Sequence, residues 1–357
     1  MRPFFACRCL SWLAFLACIG AVACARTPTP DPATVTVMTF NVENLFDTVD
    51  DPDRRDETYL PLSAKQTAAH RALCADVAVD VWRRECLEWD WNERVYATKL
   101  ERIANAILQE NSGRGPDVIV LQEVENRAVV AALRDRFMPD AGYRTLALIE
   151  GQDTRGIDVA ILSRLPLDGS PTLHPGFFDD YPNGPRNDTR GILEASLRLP
   201  SGVTLTVFAV HFPAPFHPHI MREQAYTHLN RLADKVSAAH VVVAAGDFNT
   251  TEEENRAHGL YERFLYPAWE IAHENGCEDC PGTFFYRRDQ VWNHLDLILW
   301  RRPASDGPSV RIDDVRLANQ APFQTSPAGT PQPFDLPEAL GVSDHWPVVA
   351  EFSIGPR

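Results

Sequence analysis

The sequence predicts an α/β domain in which two β-sheets pack together with helices outside. Three observations carry this expectation. From Thr34 onward short apolar runs alternate with helical patterns, the strands outnumber the helices between them, and no long polar linker interrupts residues 34–354. No internal repeat is present. One large domain is therefore expected over 34–354.

The elements follow in order. Val35–Asn41 predicts a strand. Residues 48–93 form a polar, Trp-containing insertion. Leu100, Ile103, Ile107 and Leu108 recur at helical spacing. Asp117–Val124 predicts an apolar strand with a polar end, residues 126–137 a helix, and Ile157–Leu162 a further strand. Gly191–Leu199 and Val203–His211 predict a hairpin turning at Pro200-Ser201-Gly202. Residues 219–238 predict a long amphipathic helix, and Val241–Gly246 a strand buried on both faces. Strands over His294–Trp300, Val310–Leu317 and Trp346–Phe352 complete the set.

Composition narrows the function. Hydrophobic residues make up 45% and charged residues 23%, which excludes wholesale disorder, collagen and a multi-span membrane protein. The net charge of −15 excludes a strongly basic nucleic-acid clamp but does not exclude an acidic active site fed by a divalent cation. Arg2 and Arg8 precede the apolar run Leu10–Cys24, the pattern of an export signal over residues 1–23. The absence of a polar face argues against a buried N-terminal helix. Ala21-Val22-Ala23-Cys24 resembles a bacterial lipobox, which would make Cys24 the lipidated first residue at the periplasmic face of a membrane. Cleavage after Ala23 or Ala25 would instead release a secreted protein. Losing the two arginines takes the charge from −15 to −17. Residues 24–33 read as a Pro-rich tether. Cys74 with Cys86 and Cys277 with Cys280 are expected to pair as local disulfides in an oxidising compartment; their spacings do not supply a matched zinc set.

One feature recurs along the chain. Strand after strand ends or begins in a carboxylate, amide or imidazole: Asn41 and Glu43, Glu123, Asp158, His211, Asp247 and Asn249, Asp296, and Asp344 with His345. Such residues lie on the rim of a sheet, where functional loops gather. Carboxylates gathered there repel one another unless a cation neutralises them, and Asp, Glu and Asn oxygens match a hard ion such as Mg²⁺ or Ca²⁺. A His beside an Asp offers an oriented acid or base. Alone, Asn249 reads as a cap or Asx turn and His211 as a structural histidine. The ordered combination is what is specific, and it suits metal-assisted attack of water on phosphorus.

That combination resembles the endonuclease/exonuclease/phosphatase superfamily. The matching segments are Thr39–Asn44, Leu121–Val124, Ile157–Ser163, Val210-His211, Gly246–Asn249, His294–Leu299 and Ser343–His345. The resemblance implies a four-layer αββα sandwich (DNase I-like): two mixed β-sheets face to face, helices outside, active site at one edge. It implies Mg²⁺, with Mn²⁺ able to substitute, held principally by Glu123 with Asn41, Glu43 and Asp344 near it. Asp247 would handle the proton of the attacking water or leaving oxygen, and Asn249 would hydrogen-bond the scissile phosphate. His345, oriented by Asp296, and His211 would contact the phosphate, with Arg155 and Asp158 near its edge. Glu43 stands where some members use Asp, which implies a metal contact through water. The 48–93 insertion implies a lid or substrate wall.

Three functions follow from the resemblance. The first is an exported Mg²⁺-dependent nuclease acting on DNA or RNA, with Arg155, Arg186, Arg190 and Arg222 available to focus a positive groove. The second is a phosphatase or phosphodiesterase for phospholipid or inositol phosphate. The Trp-x-Gly-Asp-x-Asn-Tyr-Arg segment of inositol phosphatases is absent, whereas Pro213–Pro218 replaces the Lys-rich turn of many exported nucleases. The third, an inactive lipoprotein binding module, is disfavoured by the complete site. Nuclease activity is the first expectation, with no protein partner implied.

Overall fold

The strand Ala33–Leu45 (β1) explains the architecture. Its side chains Val35 and Val37 point one way and Met38, Phe40 and Val42 the other, and all are buried. A strand buried on both faces requires a covering layer on each side. The structure, a computed structural model, describes residues 33–178 and 189–355. The export signal, the tether, Cys24 and Arg186 lie outside the described residues.

After β1 come the insertion helices Ala68–Ala75 (α1) and Asp80–Glu88 (α2), then Glu93–Leu108 (α3), Val118–Val124 (β2) and Arg127–Ala132 (α4). Strands Thr145–Ala147 (β3), Asp158–Ser163 (β4), Thr172–His174 (β5), Ile192–Arg198 (β6) and Thr204–His211 (β7) follow, then helix His219–Ala233 (α5) and strand His240–Asp247 (β8). The chain continues through Glu252–His258 (α6), Leu260–Phe264 (α7), Trp269–Ile271 (β9), Phe284–Tyr286 (β10), Val291–Asn293 (β11), Asp296–Arg301 (β12), Ser309–Leu317 (β13) and Val348–Gly355 (β14).

Two mixed six-stranded sheets result, ordered β13-β14-β1-β2-β4-β3 and β5-β6-β7-β8-β12-β9. Each has one parallel pair at its centre, β1 with β2 and β7 with β8. Val37, Val120, Ile161, Val207, Val243, Ile298 and Phe352 fill the space between the sheets. Leu100, Ile103 and Ile107 of α3 and Val129 of α4 cover the outer face of the first sheet against Phe40, Leu121 and Leu162. Tyr226, Leu229 and Leu232 of α5 cover the second against Phe208, Val242 and Leu299. This is the expected four-layer sandwich. Each such side chain, fully buried, contributes about 1.5–3 kcal/mol before entropy is counted.

Several boundaries differ from expectation. The helix expected over 219–238 ends at Ala233, because the chain turns at Asp234–Ser237 to enter β8 at His240. The helix expected over 126–137 is α4 plus a widened turn at Leu133–Phe137. The insertion contains two short helices, α1 and α2, whose Cys74 and Cys86 Cα atoms stand 5.8 Å apart. The Cα atoms of Cys277 and Cys280 stand 5.7 Å apart, and in both pairs the sulfurs face each other. The insertion leans on the sandwich through Tyr59, stacked 4.2 Å from Phe46, and Trp91, which donates to the Phe46 carbonyl at 3.1 Å.

Candidate active site

The polar strand ends converge because of where the strands stop. In the second sheet, His211 pairs with Asp247 across β7 and β8, and Asp247 pairs with Asp296 across β8 and β12. Gly246 makes this possible: its φ is +150°, and a Cβ there would collide with the Val210 carbonyl oxygen. In the first sheet, pairing slips between Asn41 and Leu45 on β1 and between Gln122 and Val124 on β2. Glu43, Asn44 and Glu123 occupy these irregularities at φ +53°, +59° and +62°. Asn249, after β8, is at φ +51°. Non-glycine residues rarely adopt this region, and such conformers gather where a side chain must be aimed.

The two sets meet across the edge of the sandwich. Asn41 Nδ2 donates to Asp247 Oδ2 at 3.1 Å and to Glu123 Oε1 at 3.4 Å, so one amide bridges the sheets. The Asn41 Oδ1 accepts from the Glu43 amide at 3.0 Å, and the Asn44 amide donates to Glu123 Oε2 at 3.1 Å. His211 Nε2 stands 3.6 Å from Asp247 and 3.9 Å from Glu123. The Asn249 amide donates to Asp247 Oδ1 at 2.8 Å, and its side chain donates to the Phe212 carbonyl at 3.1 Å. His345 Nδ1 lies 2.7 Å from Asp296 Oδ2, and one ligand atom each from Asp247, Asp296 and His345 falls within 4.8 Å of the others. Asp344 stands 3.8 Å from His345 Nε2.

Backbone contacts hold this set. Ser343 Oγ donates to the Asn41 carbonyl at 2.7 Å and accepts from the His345 amide at 3.1 Å. Thr283 accepts from the Asp296 amide through Oγ1 at 3.1 Å and from the Trp346 amide through its carbonyl at 2.8 Å. Strands β10 and β11 form a hairpin, and Phe284 at its start bridges to His345 with ring centres 4.9 Å apart.

Charge follows burial. Desolvation, then the neighbouring Asp296, pushes the Asp247 carboxyl up to about 7. Burial and Asp344 push Glu43 well above the usual carboxylate range, and burial also raises Asp344. Burial opposes a charge on His345, but Asp296, Asp344 and Asp247 outweigh it and hold its imidazole well above the ordinary value. His211 moves the other way: burial, Arg190 and Arg155 keep it neutral. The Asp247 and Asp296 side chains are 2% and 0% exposed, whereas Glu123 and Asp344 are 16% and 37% exposed, so the site opens on the latter pair.

The set fits a hard divalent cation. Asn41, Glu43, Glu123 and Asp344 offer oxygen donors, and a cation beside the Glu43 and Asp344 carboxyls would restore the charged form that desolvation opposes. Two expected residues sit further out. Arg155 reaches the edge by donating to the Asn44 side chain, beside Glu123. Asp158 accepts from the Gly151 amide at 2.9 Å and holds that loop. Arg222 does not serve a positive groove: it is fully buried, paired with Glu254 and donating to the carbonyls of Pro213, Ala214 and His217. Arg190 pairs with Asp153 at 3.0 Å and donates to the Phe212 carbonyl. Sequence reading missed Lys99, Thr283 and the Phe334 amide, which donates to Glu43 Oε2 at 2.7 Å.

The profile of the Endonuclease/Exonuclease/phosphatase family matches residues 38–345. The chain belongs to this family. Its members are metal-dependent phosphoester hydrolases, and the chain is an enzyme of that kind. No curated protein matches. Among solved structures, the family member from Beutenbergia cavernae is 18% identical, with 90% of this chain and 72% of that one covered and a TM-score of 0.53. The D. rerio TDP2 complexed with single-strand DNA product is 18% identical, covered over 90% and 99%, at 0.52. The mannosyl-6-phosphatase of Bacteroides thetaiotaomicron is 14% identical, covered over 89% and 99%, at 0.54. At these identities the likeness shows the fold.

Proposed function

We propose that the protein is an exported Mg²⁺-dependent nuclease that hydrolyses phosphodiester bonds of DNA or RNA. The observation that carries the phosphoesterase chemistry is the convergence of Glu123, Asp247 and the Asp296–His345 pair, joined across the two sheets by Asn41. When bound, the cation supplies charge neutralisation at the phosphate oxygens. Asp247, held by Asn41 and the Asn249 amide, takes the proton of the attacking water. His345, fixed by Asp296 and charged, donates to a phosphate oxygen, and Asn249 offers its remaining amide hydrogen to the same group. The TDP2 likeness, with its single-strand DNA product, supports a nucleic-acid substrate.

A second reading, a phosphatase for small phosphate esters, draws on the acidic charge of −15 and on the mannosyl-6-phosphatase likeness. A panel of single-stranded DNA, plasmid, RNA, inositol phosphates, phospholipids, sugar phosphates and bis-p-nitrophenyl phosphate separates the two. Hydrolysis of the nucleic acids that EDTA abolishes and Mg²⁺ or Mn²⁺ restores is the expected result. Turnover of monoesters alone would replace the first reading with the second.

Export, with Cys24 as a lipidation site, rests on the sequence pattern of residues 1–24, and the two disulfides on the facing sulfurs. Mass spectrometry of the protein made in its host, alkylated without reductant, is expected to show a chain lacking residues 1–23 and no free thiol among Cys74, Cys86, Cys277 and Cys280. Four alkylated cysteines, or an intact N-terminus, would reject the corresponding part.

A further inference from the structure

Lys99 is a charged side chain in an unexpected place. It lies on α3 and is 0% exposed. Its Nζ donates to the Val342 carbonyl at 2.8 Å and stands 4.7 Å from the centre of the Phe334 ring. Both partners are uncharged. A buried ammonium is costly unless negative charge faces it. Burial pulls the Lys99 ammonium down to about 8, and Glu43, Asp344 and Glu123, three members of the candidate metal set, oppose that fall, so it stays charged at neutral pH.

Its two partners lead to that set. Val342 opens the Val342-Ser343-Asp344-His345 turn, which delivers Asp344 and His345. Phe334, whose ring covers the ammonium, donates its amide to Glu43. Holding this segment does not by itself call for a cation at Lys99, because Arg102, one turn along α3, already donates to the Ala339 and Gly341 carbonyls. What Lys99 adds is a positive charge, present at neutral pH, among carboxylates that raise one another's pKa.

We propose that Lys99 is the internal counter-cation of the metal centre: it holds Glu43 and Asp344 in place when no ion is bound, and its field keeps a bound divalent cation exchangeable. Lys99 is a positioning residue, since it acts through the carboxylates and not on substrate. The inference rests on reading this site as a metal centre, and the test separates the two.

The test compares the wild-type protein, Lys99→Met and Lys99→Arg by thermal melting in EDTA and by calorimetric titration with Mn²⁺. Lys99→Met keeps the apolar stem and removes the charge. It is expected to melt lower in EDTA, to bind Mn²⁺ about tenfold more tightly, and to gain more from saturating Mn²⁺ than the wild-type protein gains. Lys99→Arg is expected to keep the wild-type affinity. A simple clasp on the Val342 carbonyl would give Lys99→Met equal or weaker Mn²⁺ binding, and that result would overturn the proposal. The double variant Lys99→Met/Glu43→Gln, relieved of one uncompensated carboxylate, is expected to melt higher in EDTA than Lys99→Met. If Lys99→Met does not fold, the double variant must; an unfolded double variant counts against the proposal. A wild-type protein that binds no divalent ion would remove the metal-centre reading and this role together. Normal wild-type binding with an unchanged Lys99→Met would remove this role alone.

Discussion

Asp247 and His345 are both nearly buried, yet their surroundings drive them to opposite charge preferences. Desolvation and Asp296 make Asp247 a carboxyl that ionises only near 7, while three carboxylates keep His345 protonated. The proposed mechanism needs Asp247 ionised and His345 charged. Below its pKa Asp247 holds a proton and cannot accept another, so kcat/KM should rise with pH. Its midpoint should lie at or below about 7, because a bound cation can only pull the carboxyl down. A midpoint well above 7 in a steady-state pH profile would assign the rise to another group. Asp247→Ala or His345→Ala should lower turnover by about 10²–10⁴-fold with the melting transition retained; near-normal hydrolysis by either would displace that residue from the site. Asp247, Asn249, Asp296 and His345 were legible in the sequence because each stands at the start or end of an apolar run and together they form the ordered set on which the family resemblance rests. Lys99 was not, because a lysine in an amphipathic helix reads as solvent-facing and nothing local shows that Val342 and Phe334 close over it. The Phe334 amide could not be read at all, since a backbone N–H has no letter of its own.

Among the elements, the long strands were legible and the short ones were not. β1, β2 and β8 are buried on both faces and read as apolar runs, whereas β3, β5 and β9 are three residues each and too short to show a period. The polar insertion concealed two helices for a related reason: its aromatic contacts to the sandwich come from Tyr59 and Trp91, spaced by no regular repeat. Gly246 shows how an element sets the site. The end of β8 must pass close to Val210 for Asp247 to stand beside His211, and only a residue without a Cβ fits at φ +150°. Gly246→Ala should therefore destabilise the fold by about 2 kcal/mol or more and depress activity at temperatures where the variant is still folded. Urea titration checks the first effect and a specific-activity assay the second. A variant that is destabilised but fully active would show that the approach of β7 and β8 serves packing alone.

At the scale of the whole molecule, neither half of the sandwich holds a complete site. The first sheet and its loops supply Asn41, Glu43, Glu123 and Asp344, the second His211, Asp247 and Asp296, and they touch only where the sheets' edges meet. That arrangement places the reaction centre in the field of the entire chain, whose net charge is −15. Long nucleic acid approaching such a surface is repelled at distances set by the Debye length, about 30 Å at 0.01 M salt and 8 Å at 0.15 M. The described arginines considered for a positive groove do little to reverse this: Arg222 is paired with Glu254 and Arg190 with Asp153, which leaves Arg155 beside Glu123. Association with a basic nuclease weakens as salt rises, because counter-ions are released on binding. Here the sign should invert. Between 0.01 and 0.15 M monovalent salt, KM for a single-stranded oligonucleotide should fall or stay level, while KM for bis-p-nitrophenyl phosphate should barely change. A KM for the oligonucleotide that climbs steeply over the same range would reveal a local positive track strong enough to override the global charge, and would move the search for specificity from the site itself to the surface that leads into it.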